Sequence, residues 1–221
     1  TTSLVFSHQS GFYQNNFILD ISTNDSSLRI HYTTNGSIPT YMDSTFTRPI
    51  LISNQSGREN TLSTISTSER WEAPKELVCK GNIIRARTFQ DTTAISAVYS
   101  KTYFVENKRK YSFPVISIIT DSLNFFQEDS GIYIIGNNTN YSNRGNPWER
   151  LAYFEYFDVD GQSKLKQNIG IRIHGNKGRT FPQKSLRLYA RSEYGNKTFS
   201  YAFFPDKETS SFKRLLVRSA S

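Results

Sequence analysis

The sequence predicts a mainly β protein with minor α-helix, and three observations support this fold class. Short runs of branched and aromatic residues recur along the chain, polar or glycine-containing turns separate them, and one short segment carries a helix-start signal. With 221 residues, of which 36% are hydrophobic and 14% aromatic, the chain can bury a sizeable core. It is long enough for one large domain or two ordinary ones.

The first hundred residues predict a β-sandwich of six or seven strands. The turn Asn35-Gly36 is a strong signal because both residues tolerate positive φ, and Pro39 ends further strand pairing. The polar stretch 53–75 is expected to be a long loop over one end of the sandwich, and Cys79 is expected to be buried in a strand. This spacing is typical of immunoglobulin-like domains. The strand-like runs are 17–22, 28–33, 48–52, 78–89 and 94–105.

From residue 113 the pattern changes, after a charged linker. We therefore divide the chain into domains 1–106 and 113–221, joined by the linker 107–112. Residues 113–120 form a near-continuous apolar run that predicts a strand buried on both faces, and Asp121 is placed to cap a helix that ends near residue 126. The elements expected after it are a brief strand 131–135, a loop 136–147, and a hairpin of strands 152–157 and 165–174 around the turn 158–161.

Positive charge is concentrated in the second half. Residues 1–105 carry nine basic and eight acidic side chains, a net charge of +1, whereas residues 106–221 carry eighteen and eleven, a net charge of +7. Between Gly161 and Ser192 there are eight lysines and arginines and no acidic residue, around a glycine-rich turn. Such a layout suits a phosphate group, and the charge predicts an anionic partner: a nucleotide, an acidic or phosphorylated protein, an acidic glycan or a nucleic acid.

Three basic residues at this turn are candidate phosphate ligands. The strand period places Arg172 opposite the apolar face of Ile169, Ile171 and Ile173, beside the turn. Lys184 is expected to be partly enclosed, where its ammonium must meet an anion or remain uncompensated; the alternative is a side chain that reaches solvent. Arg172 and Arg179 are further candidates because a guanidinium donates two parallel hydrogen bonds to phosphate. His174 is interpreted as structural.

The first half resembles a known accessory module. The segments YTTNGSIPT (32–40), RPI (48–50) and IRARTF (84–89) resemble the small Ig-like module at the C-terminus of chitobiases and β-hexosaminidases, over about residues 10–105. The resemblance implies a domain without catalytic residues in a secreted, carbohydrate-associated context, with protein or glycan contact through the sandwich. Trp71, Tyr41 and Tyr32 form either a sugar-stacking platform or, as we favour, ordinary structural aromatics.

The second half is similar to the spore-coat protein CotH family. The resemblance covers about residues 113–221 and is carried by NPWERLAYFEYFDVDG (146–161), GIRIHGNKGRTFPQKSLRLYARSEYG (170–195), FFPD (203–206) and FKRLLVRSAS (212–221). That family contains atypical protein kinases, which transfer phosphate from ATP to Ser or Thr of secreted or coat proteins. It implies nucleotide or phosphate contacts at Arg172, Asn176, Arg179 and Lys184. Lys177 and Gly178 depart from the family pattern, where small hydroxyl residues are usual.

The resemblance implies the β-rich, nucleotide-facing N-terminal part of a kinase-like domain. ATP and Mg²⁺ are then expected only for a longer parent protein, whose metal-binding and catalytic acidic residues would follow Ser221, and the fragment itself is expected to be inactive. The alternative is a non-enzymatic surface module that binds protein or glycan. A nucleic-acid binder is disfavoured because the basic residues are confined to one turn and its flanks. No apolar run is long enough to predict a membrane span, and a secreted or cell-surface location is expected.

Overall fold

The computed structural model describes residues 2–106 and 112–219, so residues 107–111 of the expected linker lie outside the described residues. The protein is mainly β, as predicted, with one short α-helix in the described part. Its contacts divide the chain into two compact units. The first comprises the described residues of Thr1–Arg58, Leu77–Val115 and Phe157–Ser163, and the second those of Glu59–Glu76, Ile116–Tyr156 and Lys164–Ser221.

The first unit is a sandwich-like arrangement of three antiparallel or mixed sheets. The largest has the order β2-β10-β8-β5-β6, with β9 paired to β8, and the two-stranded sheets are β1-β4 and β3-β7. The strands are β1 Leu4–Phe6, β2 Gly11–Tyr13, β3 Phe17–Leu19, β4 Ile21–Thr23, β5 Arg29–Thr33, β6 Ser44–Thr45, β7 Ile50–Ile52, β8 Asn82–Gln90, β9 Thr93–Ala94 and β10 Tyr99–Val105.

The core of the first unit draws on all three sheets. Leu19, Ile52 and Ile84 are almost fully buried and come from β3, β7 and β8. Tyr103 of β10 is also fully buried, and its hydroxyl donates to the carbonyl of His8 at 3.0 Å. Apolar residues from facing sheets are what a sandwich core requires, and the short runs of branched and aromatic residues predicted this sandwich-like half, although not β1 and β2.

Two expectations for the first half are wrong. Residues 59–76 of the long polar stretch group with the second unit and not with the sandwich, because Thr67 is hydrogen-bonded to that unit. Cys79 is exposed, since β8 begins only at Asn82 and the preceding residues are irregular; its thiol donates to Oε1 of Glu106 at 3.1 Å. The buried apolar residues of the run 78–89 therefore lie in its second half.

The second unit is built on a five-stranded sheet of order β11-β12-β13-β14-β17, with a small β15-β16 sheet beside it. Its strands are β11 Val115–Ile119, β12 Arg150–Phe157, β13 Ser163–His174, β14 Ser185–Tyr189, β15 Phe199–Ser200, β16 Ser211–Phe212 and β17 Arg214–Val217; the helix α1 is Ser122–Phe126. Short 3₁₀ helices are Leu62–Thr64, Asn140–Ser142, Asn146–Trp148, Lys177–Thr180 and Ser192–Tyr194.

Local signals in the second unit are mostly confirmed. Asp121 caps α1 by accepting a hydrogen bond from the amide of Leu123 at 2.9 Å, and β12 and β13 flank the predicted turn. Ile169 and Ile171 of β13 are fully buried in the core, together with Leu188 of β14. The expected strand 131–135 is absent, because its residues form turns instead. The expectation that the run 113–120 is buried on both faces is also wrong, because β11 is the edge strand of its sheet and Ile116 is 36% exposed. No helix among the described residues is long and apolar enough to cross a membrane.

Candidate anion-binding site

A cavity of about 440 Å³ lies where β13 and β14 meet the turn between them. Four arginines and one histidine line it, and the described residues that line it include no carboxylate. Arg172 and Arg187 face each other directly across the antiparallel pair, an arrangement of like charges that is unfavourable without compensation. The basic residues lining the cavity are Arg144, Arg172, His174, Arg179 and Arg187.

Arg172 is held by a buried carboxylate. Its Nε donates to Oε2 of Glu149 at 2.6 Å, its Nη2 donates to Oδ1 of Asn146, and its guanidinium lies over the ring of Tyr189 at 4.9 Å. The Glu149 side chain is only 4% exposed, so this ion pair is screened little by solvent. Arg172 therefore lies at the cavity, as predicted, but part of its hydrogen-bonding capacity is committed to the protein.

Arg179 is committed further. Its guanidinium donates four hydrogen bonds to backbone carbonyls of β13, the turn and the segment 141–143, and the residue is 7% exposed. Burial is the first cause that lowers the pKa of this side chain, followed by the charges of Arg144 and Arg187. These hydrogen bonds stabilise the conformation of the turn. It contributes positive potential to the cavity, with little capacity left to grip a ligand directly.

Arg187 and Arg144 are less constrained. Arg187 donates from Nη2 to Nδ1 of His174 at 2.7 Å, and within the described residues no carboxylate forms an ion pair with it. Arg144 is exposed and makes only long contacts, of 3.4 Å to the carbonyl of Gly175 and 3.5 Å to Oδ1 of Asn176. These two guanidiniums are the side chains best able to turn toward an anion.

His174 lies in the positive electrostatic potential of the neighbouring arginines. Because an arginine always donates, Nδ1 of His174 must accept, and the neutral ring carries its proton on Nε2. Burial lowers the pKa of His174 below its ordinary value, and the charges of Arg187, Arg179, Arg218 and Arg144 lower it further. The pKa of the imidazole therefore depends on the positive charge around it, whereas the sequence indicated only a structural role for His174.

The turn itself has the backbone that its glycines predict. Gly175 has a φ of +108°, a conformation that strains any residue with a side chain. Asn176 follows it, is exposed and lines the cavity, as the resemblance implied. A second cavity of about 580 Å³ shares His174, Gly175 and Asn176 with the first and adds Arg218. The basic region is therefore larger than one cavity.

Lys184 lies elsewhere. It is not among the residues that line either basic cavity, and its ammonium donates to the carbonyls of Thr67 at 2.7 Å and Phe181 at 2.8 Å. The ammonium also lies 4.6 Å from the ring centre of Tyr141 and 5.3 Å from that of Tyr133. The expectation that its charge must meet an anion is wrong, because carbonyl dipoles and aromatic rings compensate it. Burial lowers its pKa to about 8.

Sequence reasoning missed Glu149. This carboxylate accepts from Arg172, from Nη2 of Arg191 at 3.1 Å and from the hydroxyl of Tyr194 at 2.7 Å. The signal was the glycine at position 170 inside a strand, since such a glycine marks a close approach by another group. Among the described residues no group of three or more His, Cys, Asp or Glu side chains is placed to hold a metal ion.

Comparison with known proteins identifies one part of the chain. No curated protein and no solved structure matches it. Residues 19–103 match the model of the family described as Fn3 associated. These residues include the last residue of β3, all of β4 to β9 and most of β10, and the sheets of the first unit agree with such a module. The segment 19–103 is therefore similar to an Ig- or fibronectin-like associated module.

Proposed function

We propose that the second unit is the phosphate-binding part of a CotH-like kinase domain in a secreted or cell-surface protein. Its parent would bind ATP with Mg²⁺ and phosphorylate Ser or Thr of extracellular or coat proteins. One observation carries the proposal: a cavity lined by four arginines without a lining carboxylate, at the glycine turn of the motif that resembles the family. A surplus of guanidiniums in one concave site favours a ligand with several negative charges.

The residues divide into ligand contacts and support. Arg144 and Arg187 are assigned to the phosphate oxygens, with the amide of Asn176 as a further donor. Arg172 is assigned a contact through the N–H groups that Glu149 and Asn146 leave unused. Arg179 shapes the turn and adds positive potential. An anion between Arg172 and Arg187 would also remove the repulsion of these facing charges.

Phosphate binding is the step that the described residues fit. Mg²⁺ in kinases is held by carboxylates together with the phosphates, and none of the described residues that line the two basic cavities is acidic. We therefore assign no step to Mg²⁺ here. In this proposal the second unit binds the phosphates of the nucleotide. No residue of this unit is assigned to the metal ion or to the Ser or Thr that accepts the phosphate.

Calorimetric titration with ATP and with inorganic pyrophosphate tests the proposal. Pyrophosphate should bind this protein and ATP its longer parent, and Arg144→Ala and Arg187→Gln should each weaken pyrophosphate ~10-fold, since a hydrogen bond to a charged group contributes ~1.5–3 kcal/mol. The matched control is Lys166→Ala, which removes an exposed positive charge of β13 away from the cavities and should have little effect. Equal affinity in all three variants would rule out the site; pyrophosphate binding without ATP binding would rule out the nucleotide.

A further inference from the structure

The segment 59–76 lines a further cavity in the same unit, and its chemistry differs from that of the two basic cavities. Thr67 anchors the segment: its hydroxyl donates to the carbonyl of Pro182 at 2.7 Å, and its carbonyl accepts from Lys184. Around this anchor lies a cleft of about 450 Å³, within the size range of small-ligand sites. Trp71, Phe126 and Tyr133 are its aromatic lining residues.

Trp71 is the feature that requires an explanation. Among the described residues no ring stacks on its indole, no cation lies over it, and its indole N–H has no acceptor, although the side chain is half-buried. Trp148, by contrast, packs against the core and has the guanidinium of Arg150 over its ring at 5.6 Å. An indole that keeps both its face and its N–H available at a cleft is suited to a ligand that is apolar on one side and polar at its edge.

Polar side chains of the cleft are available as well. Glu72 and Gln183 are exposed, Ser63 is partly buried, and none of the three side chains makes a hydrogen bond or ion pair within the described residues. A carboxylate accepts, whereas an amide and a hydroxyl both donate and accept. These three side chains can therefore form hydrogen bonds with adjacent hydroxyl groups of a ligand. Glu72 is the one charged residue among the described residues that line the cleft, so the cleft does not favour an anionic ligand.

We propose that this cleft binds a neutral pyranose oligosaccharide, with Trp71 stacked on the apolar face of one sugar ring and Glu72 and Gln183 bonded to its hydroxyls. The apolar C–H face and the equatorial hydroxyl rim of such a ring match the indole and the polar side chains respectively. A proline-rich peptide also docks on aromatic grooves, but its prolines have no backbone N–H to donate to the Glu72 carboxylate. The site is independent of the phosphate-binding function proposed above.

Saturation-transfer NMR with chitotriose and with cellotriose tests this site. We expect saturation transfer from the protein to the ring protons of at least one of the two sugars, with a millimolar dissociation constant. Trp71→Ala should weaken binding ~10-fold, as the loss of an aromatic contact of ~1.5 kcal/mol does. Gln183→Ala removes one exposed side chain, so it tests the polar contacts without a change in the fold. The matched control is Tyr41→Ala, an aromatic residue of the first unit that is 47% exposed and should not affect transfer.

Three results would overturn the proposal. The first is no transfer from the folded protein to either sugar, and the second is transfer that neither Trp71→Ala nor Gln183→Ala reduces. The third is Trp71-dependent binding of decaproline in the absence of sugar binding. Inorganic pyrophosphate should not compete with the sugar, because the two cavities share no lining residue. Failure of this site is thereby distinguished from failure of the basic one.

Discussion

Gly170 of β13 lies directly against the buried carboxylate of Glu149. A β-carbon at position 170 would overlap Oε1 of Glu149 and would lie 2.6 Å from Cε2 of Tyr194. The glycine is therefore required by packing, since its φ is not in the left-handed region. This close approach lets Glu149 reach Arg172 two residues further along the strand. The glycine and the arginine of the motif thus depend on the same carboxylate.

Gly170→Ala should destabilise the protein by ~2–4 kcal/mol, because neither the Glu149 side chain nor the Tyr194 ring has room to move without loss of its hydrogen bonds. Gly178→Ala is the matched control: a β-carbon there meets nothing within 4 Å, and its φ is not positive. Urea unfolding of both variants checks this prediction. Similar stability in the two would show that Glu149 does not occupy the space above Gly170.

Glu149→Gln should destabilise the protein by ~2–4 kcal/mol, because it leaves Arg172, whose side chain is 17% exposed, without its counter-charge. The control is Glu193→Gln. Glu193 is 61% exposed and lies 4.0 Å from Arg191, so its loss should change the free energy of unfolding by less than ~0.5 kcal/mol. Equal effects of the two substitutions would mean that burial does not strengthen the Glu149 pair.

Lys184 should make stability rise with pH between about 8 and the ordinary lysine pKa of 10.5. In that window the unfolded chain holds more protons than the folded one, so the free energy of unfolding increases as pH rises. The carbonyl and ring contacts favour the ammonium and limit the gain to ~1–3 kcal/mol.

Lys184→Met keeps the length of the side chain and removes its charge. The unfolding free energy of the wild type minus that of this variant should increase between about pH 8 and pH 10.5. Tyrosine ionisation affects both proteins and therefore cancels in this difference. Chemical denaturation at several pH values measures it. A constant difference would mean that burial does not depress the pKa of Lys184.

The strands were predictable because they follow period-two patterns, and Ile169 and Ile171 are buried as that period requires. The same period placed Arg172 beside the turn, whereas Asn176 came from the family resemblance and Arg179 from its charge and that resemblance; all three line one cavity. The partners of these side chains were not predictable, because Glu149 and the loop around Tyr141 are distant in sequence. The placement of residues 59–76 also depended on long-range hydrogen bonds, and a polar stretch carries no pattern that reports them.

NMR titration of His174 tests the central claim most directly, with His8 and His31 of the first unit as internal controls. Burial lowers the pKa of His174 and the charges of the surrounding arginines lower it further, so an anion bound among the arginines must raise it. We predict an upward shift of the His174 pKa on saturation with inorganic pyrophosphate, and a smaller one in Arg187→Gln. An unchanged His174 pKa at saturating pyrophosphate would contradict an anion site in this cavity.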